Sequence, residues 1–497
     1  MLSQIKTGAL LSYLGLGINI CIGLIYTPWM IHSIGRDNFG LYTLAMSIIT
    51  LFVFDFGLSS AVTRFVAKYL AEDRIDKVNN CLGLVARLYI GIDCLLFIIL
   101  LGVCFFIPLI YESLTPDEIA RFKVVYAIAA VFSVISFPFI PLNGILSANE
   151  KFIQLKLCEL FNKLLIVGLM SGCLLLGYGL YALVLVHAVA GVIMIVLKLY
   201  CIRRFTQTHI NFGYRNREKR REILSFSGWT TVVAISQRMI FNLAPSILGV
   251  FTGSAAIAVL GVAITIEGYT YTFANAINGL FLPRVSRILS NDDGDILPLM
   301  IKVGRIQLMI VGMIVLGFLF LGRDFVNLWV GSQFADSYIC AVLLILPSII
   351  HLPQEIASTA IIVANKVKHQ AFVYSVMAVT NLALAFIFAK LWGVIGLAVS
   401  ICIAYFVRTI GMNYYYQIDL GLRISKFFKE TFIMMIPSCG AVVLIGVAVN
   451  LLIVQATWPY FLLKAGIFAV ASMIALWFIS MNASEKQLVK SLVGGKH

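Results

Sequence analysis

The stretch Arg203–Ser227, RRFTQTHINFGYRNREKRREILSFS, decides how the rest of the chain is read. It carries Arg203, Arg204, Arg215, Arg217, Lys219, Arg220 and Arg221 against only Glu218 and Glu222. No other segment is so basic, and on either side lie long runs of Leu, Ile, Val, Phe, Ala and Gly. The run that begins at Phe226 reads as a second copy of the one that begins at Leu11, so the basic stretch is a seam between two copies of one unit.

The surrounding composition sets the solvent. Of 497 residues, 61% are hydrophobic and 12% charged, with a mean hydropathy of +0.98, which leaves far too little polar surface to cover a soluble fold. The chain is therefore expected to cross a membrane many times. Its net charge of +14 sits in short loops between apolar runs, where Lys and Arg act as topology signals and bind anionic lipid headgroups, so nucleic acid is not an expected partner. Ten cysteines lie in or at the ends of apolar runs, with no CxxC pair and no histidine at ligand spacing. They read as small core hydrophobes, not as a disulfide or metal framework. Lys6 precedes an apolar run of full spanning length without a small-residue cleavage site, which reads as a retained first helix.

About twenty apolar residues span roughly 30 Å of hydrocarbon as a helix. Such runs fall at 8–34, 39–62, 81–108, 124–146, 153–176 and 179–202, then after the seam at 227–250, 256–282, 301–321, 338–362, 370–391 and 393–416, and finally at 432–454 and 459–481. The expected fold is all-α and polytopic, with about fourteen transmembrane helices. Its divisions are a six-helix bundle over 1–202, a basic cytoplasmic linker over 203–226, a second six-helix bundle over 227–416, and two extra helices with a cytoplasmic tail over 417–497. Orientation follows from the bases. With the N-terminus inside, Arg64, Lys68, Lys151, Lys156, the seam, Arg284, Lys302, Lys366, Lys426 and Lys486 share one side, whereas the other receives only Arg36, Arg121, Lys123, Arg323 and Lys390. That bias puts both termini in the cytoplasm.

The duplication is visible in the residues. Tyr26-Thr27-Pro28 answers to Leu243-Ala244-Pro245, Arg87 to Arg305, Ser147-Ala148-Asn149-Glu150-Lys151 to Val363-Ala364-Asn365-Lys366-Val367, and Gly179-Leu180-Tyr181 to Gly393-Val394-Ile395. The offset stays between 214 and 220. Six spans is an even number, so the two bundles run parallel and are related by a pseudo-two-fold axis along the membrane normal. Pro138, Pro141, Pro347 and Pro353 fall in corresponding helices as expected kinks.

Charges within the spans are few, and each is a functional candidate because a charge in hydrocarbon costs several kcal/mol unless it faces protein or water. Thr231, Arg238, Asn242, Pro245 and Gly249 recur on one helical face, as expected of a helix lining a wet cavity. Glu267, Tyr271, Ala274 and Asn278 form a second polar stripe, with Glu267 near the midplane. Glu267 either carries a coupling proton or simply neutralises Arg238. Glu159 and Lys163 are four apart, so they either pair with each other or leave Lys163 to meet an anion. Asp93 lies mid-span without a sequence partner, and Asp55 and Arg64 lie toward one end of the second span. Arg87 and Arg305 sit one to two turns inside their helices, and Lys464 and Arg408 are close enough to helix ends to snorkel. His187 and His351 read as hydrogen-bonded core residues. The expected substrate-binding residues are therefore Arg238, Lys163, Asn242, Arg87, Arg305 and Arg64, and the ion-coupling candidates Glu267, Asp93, Glu159, Asp55 and Glu355. No phosphate-cradling glycine loop, zinc spacing or triad order occurs, so no enzyme activity, cofactor or metal is expected.

Ile34-Gly35-Arg36-Asp37-Asn38-Phe39-Gly40-Leu41-Tyr42, then Asp55-Phe56-Gly57-Leu58-Ser59-Ser60-Ala61 leading into Arg64, and the Asn149-Glu150-Lys151 turn resemble the Wzx-type polysaccharide-unit flippases of the superfamily that includes the MATE drug exporters. The six-plus-six-plus-two plan fits as well. The resemblance implies transport of an undecaprenyl-pyrophosphate-linked oligosaccharide, such as an O-antigen or exopolysaccharide unit, from the cytoplasmic to the outer leaflet of the bacterial inner membrane. It also implies a cationic cavity, an H+ or Na+ gradient as driving ion, contact with membrane lipids, and other polysaccharide assembly proteins as partners. A lipid II flippase and a MATE-type drug exporter are the nearest rivals, and a membrane-embedded polysaccharide polymerase or acyltransferase is a more distant one.

Overall fold

The computed structural model describes residues 2–52, 57–275, 282–289 and 295–487, and among them every regular element is helical. The chain divides into two compact units, one of Met1–Gly261 with Ala378–Leu397 and one of Val262–Met377 with Ala398–His497.

The first unit contains α1 (Leu2–Ile34), α2 (Arg36–Phe52), α3 (Leu58–Ala71), α4 (Ile75–Ile110), α5 (Pro116–Ser136), α6 (Leu142–Ala148), α7 (Phe152–Leu175), α8 (Leu180–Phe205), α9 (Arg217–Asn242) and α10 (Ala244–Phe251). It also takes the first part of α11 (Ser254–Asn275). The second unit holds the rest of α11, α12 (Leu282–Leu289), α13 (Leu297–Trp329), α14 (Asp336–Ile345), α15 (Ser348–His351), α16 (Glu355–Val363), most of α17 (Val367–Leu420), α18 (Ile424–Thr431), α19 (Ile436–Leu452) and α20 (Trp458–Ile479). α17 is two spans joined at Gly393, whose φ of +58° an L side chain would strain. Each apolar run of the sequence thus meets helix among the described residues. The run at 39–62 is helical to Phe52 and again from Leu58, with 53–56 outside the described residues.

Local sequence sets the ends. Thr115 and Glu118 form a reciprocal capping box at the start of α5, Thr115 N donating to the Glu118 carboxylate at 2.8 Å and Glu118 N to Thr115 Oγ1 at 3.3 Å, with Pro116 at the first helical position. α3 buries Leu58, Ala61, Val62, Phe65, Val66 and Tyr69 while Arg64 and Lys68 stay exposed, a one-sided spacing that lays it along the surface. With α4, α6 and Ile223 of α9 it builds the main core of the first unit, centred on Tyr89 and Phe137, whose rings lie 5.2 Å apart. In the second unit α13 packs against α19 and α20 through Leu321, Val442 and Phe468. Outward-facing Phe105, Leu175, Leu444 and Leu452 are among the most exposed residues, as expected where lipid is the solvent.

The duplication is written in the backbone as well. The span α5–α6 breaks at a 3-10 turn over Phe137–Phe139, and the span α14–α16 breaks at another over Leu352–Gln354. Pro138 and Pro353 sit at the second residue of each. After each span comes a left-handed residue, Glu150 at φ 57° and Asn365 at φ 57°, flanked by Lys151 N donating to Leu146 O and Lys366 N to Ile361 O, both at 2.9 Å. These turns correct the register of the repeat by one residue: Glu150 answers to Asn365, where side-chain similarity pairs Asn149 with it. Backbone conformation, which a Gly or Asn or even a Glu can adopt at a helix end, is conserved in shape while the side chain is not.

A buried polar cluster as candidate functional site

Four helices of the second unit bring polar side chains together at a site that is buried at His351, Tyr374, Arg408 and Tyr416, half-buried at Glu267, Glu355 and Tyr405, and exposed at Tyr271. α11 supplies Glu267 and Tyr271, one turn apart; α15 and α16 supply His351 and Glu355, also one turn apart; and α17 supplies Tyr374, Tyr405, Arg408 and Tyr416. Arg408 is 6% exposed. Its guanidinium donates to the Tyr374 hydroxyl and lies 4.8 Å from the centroid of that ring, while its Nε has no hydrogen-bond partner. Glu355 and Tyr416 are within Coulombic range of Arg408, and Glu267 is within range of Tyr405 and Tyr271. The His351 ring packs on Tyr405 at 5.4 Å, and its Nδ1 meets the Pro347 carbonyl at 3.1 Å. Gln354 Nε2 donates to Asn413 Oδ1 at 2.7 Å beneath them.

The charge balance gives this cluster its chemistry. Among the described residues the cluster holds two carboxyl groups, Glu267 and Glu355, and one guanidinium, which is in range of Glu355, so neutrality of this group needs a further cation or a proton. Four phenols supply hydroxyls that can accept or donate as that cation comes and goes.

The sequence candidates land as follows. Glu267 and Glu355 enter this cluster. Tyr271 enters with Glu267, as their shared polar stripe suggests, whereas Tyr374, Tyr405 and Tyr416 were not singled out; His351, read as a core histidine, and Arg408, read as snorkelling, join them, and Arg408 is not a snorkelling residue. The apolar run ends near 416, but the helix continues to Leu420, and twelve residues of helix put Arg408 about 18 Å from that end. The signal that could have found it is the spacing of Tyr405, Arg408 and Tyr416 on one face. Lys464 does not snorkel either: it is 3% exposed and pairs with Asp324 of α13 at 2.7 Å. Arg305 is consumed by structure. Its Nε and one NH2 hold Glu485 at 2.6 and 3.2 Å, and its remaining bonds go to the carbonyls of Glu430 at 2.9 Å and Ser480 at 2.7 Å.

In the first unit Arg238 Nη1 donates to Thr50 O at 2.6 Å. Thr50 lies two residues before Phe52, the last described residue of α2. Asn242 closes α9, where the chain breaks at Leu243 and restarts with Pro245 in the first turn of α10. Glu159 pairs with Lys156 at 2.8 Å and not with Lys163. Lys163, half-buried one turn deeper, has no ion-pair partner among the described residues. Asp93 Oδ1 is buried in α4 without a hydrogen-bond partner. Arg64 is exposed on α3, Arg87 is half-buried on α4, and Asp55 lies outside the described residues. His187 is held by the Tyr42 hydroxyl at 2.8 Å, as a core histidine should be.

Known structures share this fold. An inward closed lipid II flippase MurJ matches with a TM-score of 0.69 at 13% identity, covering 97% of this chain and 100% of its own. An inward-facing multidrug resistance MATE transporter of the MOP superfamily matches with a TM-score of 0.65 at 14% identity, covering 85% and 99%. The eukaryotic MATE transporter AtDTX14 matches with a TM-score of 0.60 at 15% identity, covering 86% and 97%. No curated protein matches the sequence. The family profile described as polysaccharide biosynthesis protein matches residues 5–289, more than half of the chain. A chain so matched, folded as the flippase and exporter structures are, belongs to the polysaccharide biosynthesis protein family.

Proposed function

We propose that the chain is a flippase that moves an undecaprenyl-pyrophosphate-linked oligosaccharide repeat unit from the cytoplasmic to the outer leaflet of the bacterial inner membrane, by ion-coupled alternating access of two parallel six-helix bundles. Family membership and fold support a carrier over an enzyme. The single observation that carries the coupled mechanism is the cluster around Arg408, where the buried guanidinium faces Glu355 and a second carboxyl, Glu267, lies beside Tyr405. A proton or Na+ binding there changes the balance of charge inside the membrane, which is what ion coupling requires. Arg238, Asn242 and Lys163 are the cargo-facing residues in this reading, with the seam and both termini in the cytoplasm. With the cell interior negative, outward movement of an anion is favoured by about 2.3 kcal/mol per charge per 100 mV.

The test is lipid-linked oligosaccharide movement in proteoliposomes under an imposed pH or Na+ gradient. Glu267→Gln and Glu355→Gln should each abolish the response to the gradient while leaving the protein folded. Gradient-driven movement undiminished in both variants would remove these carboxyls from the mechanism. A lipid II flippase is the second reading, favoured by the 97% coverage of this chain by the MurJ fold against 85% by the MATE fold. It predicts that lipid II, and not an oligosaccharide diphosphate lipid, is the better cargo in the same assay.

A further inference from the structure

The basic seam is not a free tether. His209 N donates to Asn79 Oδ1 at 2.7 Å, Asn211 N to Asn79 O at 3.2 Å, and Asn211 Nδ2 to Asn80 Oδ1 at 2.7 Å, fastening the stretch before α9 to the start of α4. Gly83 of α4 lies so close under Asn211 that no Cβ would fit between them. Asn216 then caps α9, its Oδ1 accepting from Lys219 N at 2.8 Å, and Ile223 inserts into the core beneath. Lys219 bends back over the rings of Phe65 and Tyr69, 4.8 and 5.3 Å from their centroids, and takes Glu222 at 2.6 Å.

This docking fixes Arg215, Arg217 and Arg220 around Arg87. The four arginines line one cavity of about 430 Å³, whose remaining wall includes Leu84 and Leu88 of α4. Glu222 is occupied by Lys219, and none of the four has an ion-pair partner among the described residues. Four guanidinium groups gathered from two separate elements repel one another, and a bound anion relieves that repulsion. A guanidinium fork matches a phosphate bidentately. The cavity has room for on the order of ten waters or for a headgroup in their place. The apolar wall at Leu84 and Leu88 adjoins the first turns of a spanning helix, where a lipid chain would continue.

We infer that this cleft binds a phosphate or diphosphate headgroup at the membrane surface. It lies on α4 and the seam, outside the buried cluster of the second unit, and the inference stands whether or not the chain transports lipid-linked sugars. Its ligand comes from one of two sources, an anionic phospholipid or the diphosphate of a lipid-linked cargo.

The experiment measures binding of inorganic pyrophosphate to the full chain in phosphatidylcholine nanodiscs by calorimetry at low salt. The variant Arg215→Gln/Arg217→Gln/Arg220→Gln alters three exposed residues and should bind at least tenfold more weakly, and Arg87→Gln, on a different helix, should also weaken binding. The control Lys68→Gln/Arg204→Gln/Arg221→Gln removes the same charge from exposed positions that do not line the cavity and should bind as the parent does. Equal affinity in parent and cavity variants, or equal loss in the control, would overturn the inference. Discs containing phosphatidylglycerol separate the sources. If the phospholipid is the occupant, pyrophosphate affinity falls in the parent, and native mass spectrometry retains phosphatidylglycerol on the parent but not on the triple variant. If the diphosphate is the occupant, phosphatidylglycerol leaves the affinity unchanged.

Discussion

Replacing Arg305 by Met should unfold the second unit at much lower denaturant, and the structure sets the size of the effect. Arg305 makes four hydrogen bonds, two to Glu485 and one each to the carbonyls of Glu430 and Ser480, and it ties α13 to the last turn of α18 and to the segment after α20. Glu485 is 3% exposed, so Arg305→Met leaves a buried carboxylate without its cation, a loss of about 3–5 kcal/mol. Glu485→Gln leaves an acceptor for the guanidinium and keeps both carbonyl bonds, so it should cost less, about 2–3 kcal/mol. The double variant Arg305→Met/Glu485→Gln removes both charges and retains only the penalty of two carbonyls that lose a donor, about 2–3 kcal/mol in total. The double should therefore be more stable than Arg305→Met alone, with a coupling energy of about 3–5 kcal/mol in the mutant cycle. Reversible unfolding in SDS micelles followed by tryptophan fluorescence reads all four proteins. Additivity within about 0.5 kcal/mol would refute the reasoning, because the pair would then contribute nothing as a pair. The same proteins decide a second point. If Arg305 is only a tether, transport per folded molecule recovers in the double variant; a stable double variant that cannot transport would return Arg305 to the cargo-binding residues that its position in the sequence suggests.

Other outcomes follow from the same geometry. An impermeant thiol reagent should label Asp117→Cys in a cysteine-free background from outside the cell and leave Asn216→Cys untouched, and the reverse pattern would invert the topology. Arg238→Ala should lose a charged hydrogen bond to Thr50 O of α2 and destabilise by about 1.5–3 kcal/mol, with Arg238→Lys milder. If Arg238 also grips cargo, Arg238→Lys should lower transport more than stability, because a lysine is a point charge and not a fork; equal losses in both readouts would leave it a structural partner of α2.

The sequence by itself determined the solvent, the helices and the duplication. Each of these depends on a property that is local or periodic: a run of twenty apolar residues crosses hydrocarbon as helix, since the helix satisfies its own backbone there and the alternation of a barrel strand is missing, and Lys and Arg mark the ends. The carboxyls Glu267 and Glu355 were legible for the same reason, being costly residues in an apolar run. What only the tertiary structure decided was who meets whom. Arg305 and Lys464 read as interface-seeking cations, yet Glu485 and Asp324, distant in sequence, neutralise them inside the protein. Arg408 reads the same way until the helix is seen to run on to Leu420, which carries the residue inward to Tyr374, Tyr405 and Glu355. The seam reads as a tether because its composition is polar and basic, but Asn79, Asn80 and Gly83 hold it down. Ion pairs, aromatic contacts and docked loops depend on distances between residues remote in the chain, and hydrophobic periodicity carries no record of those distances.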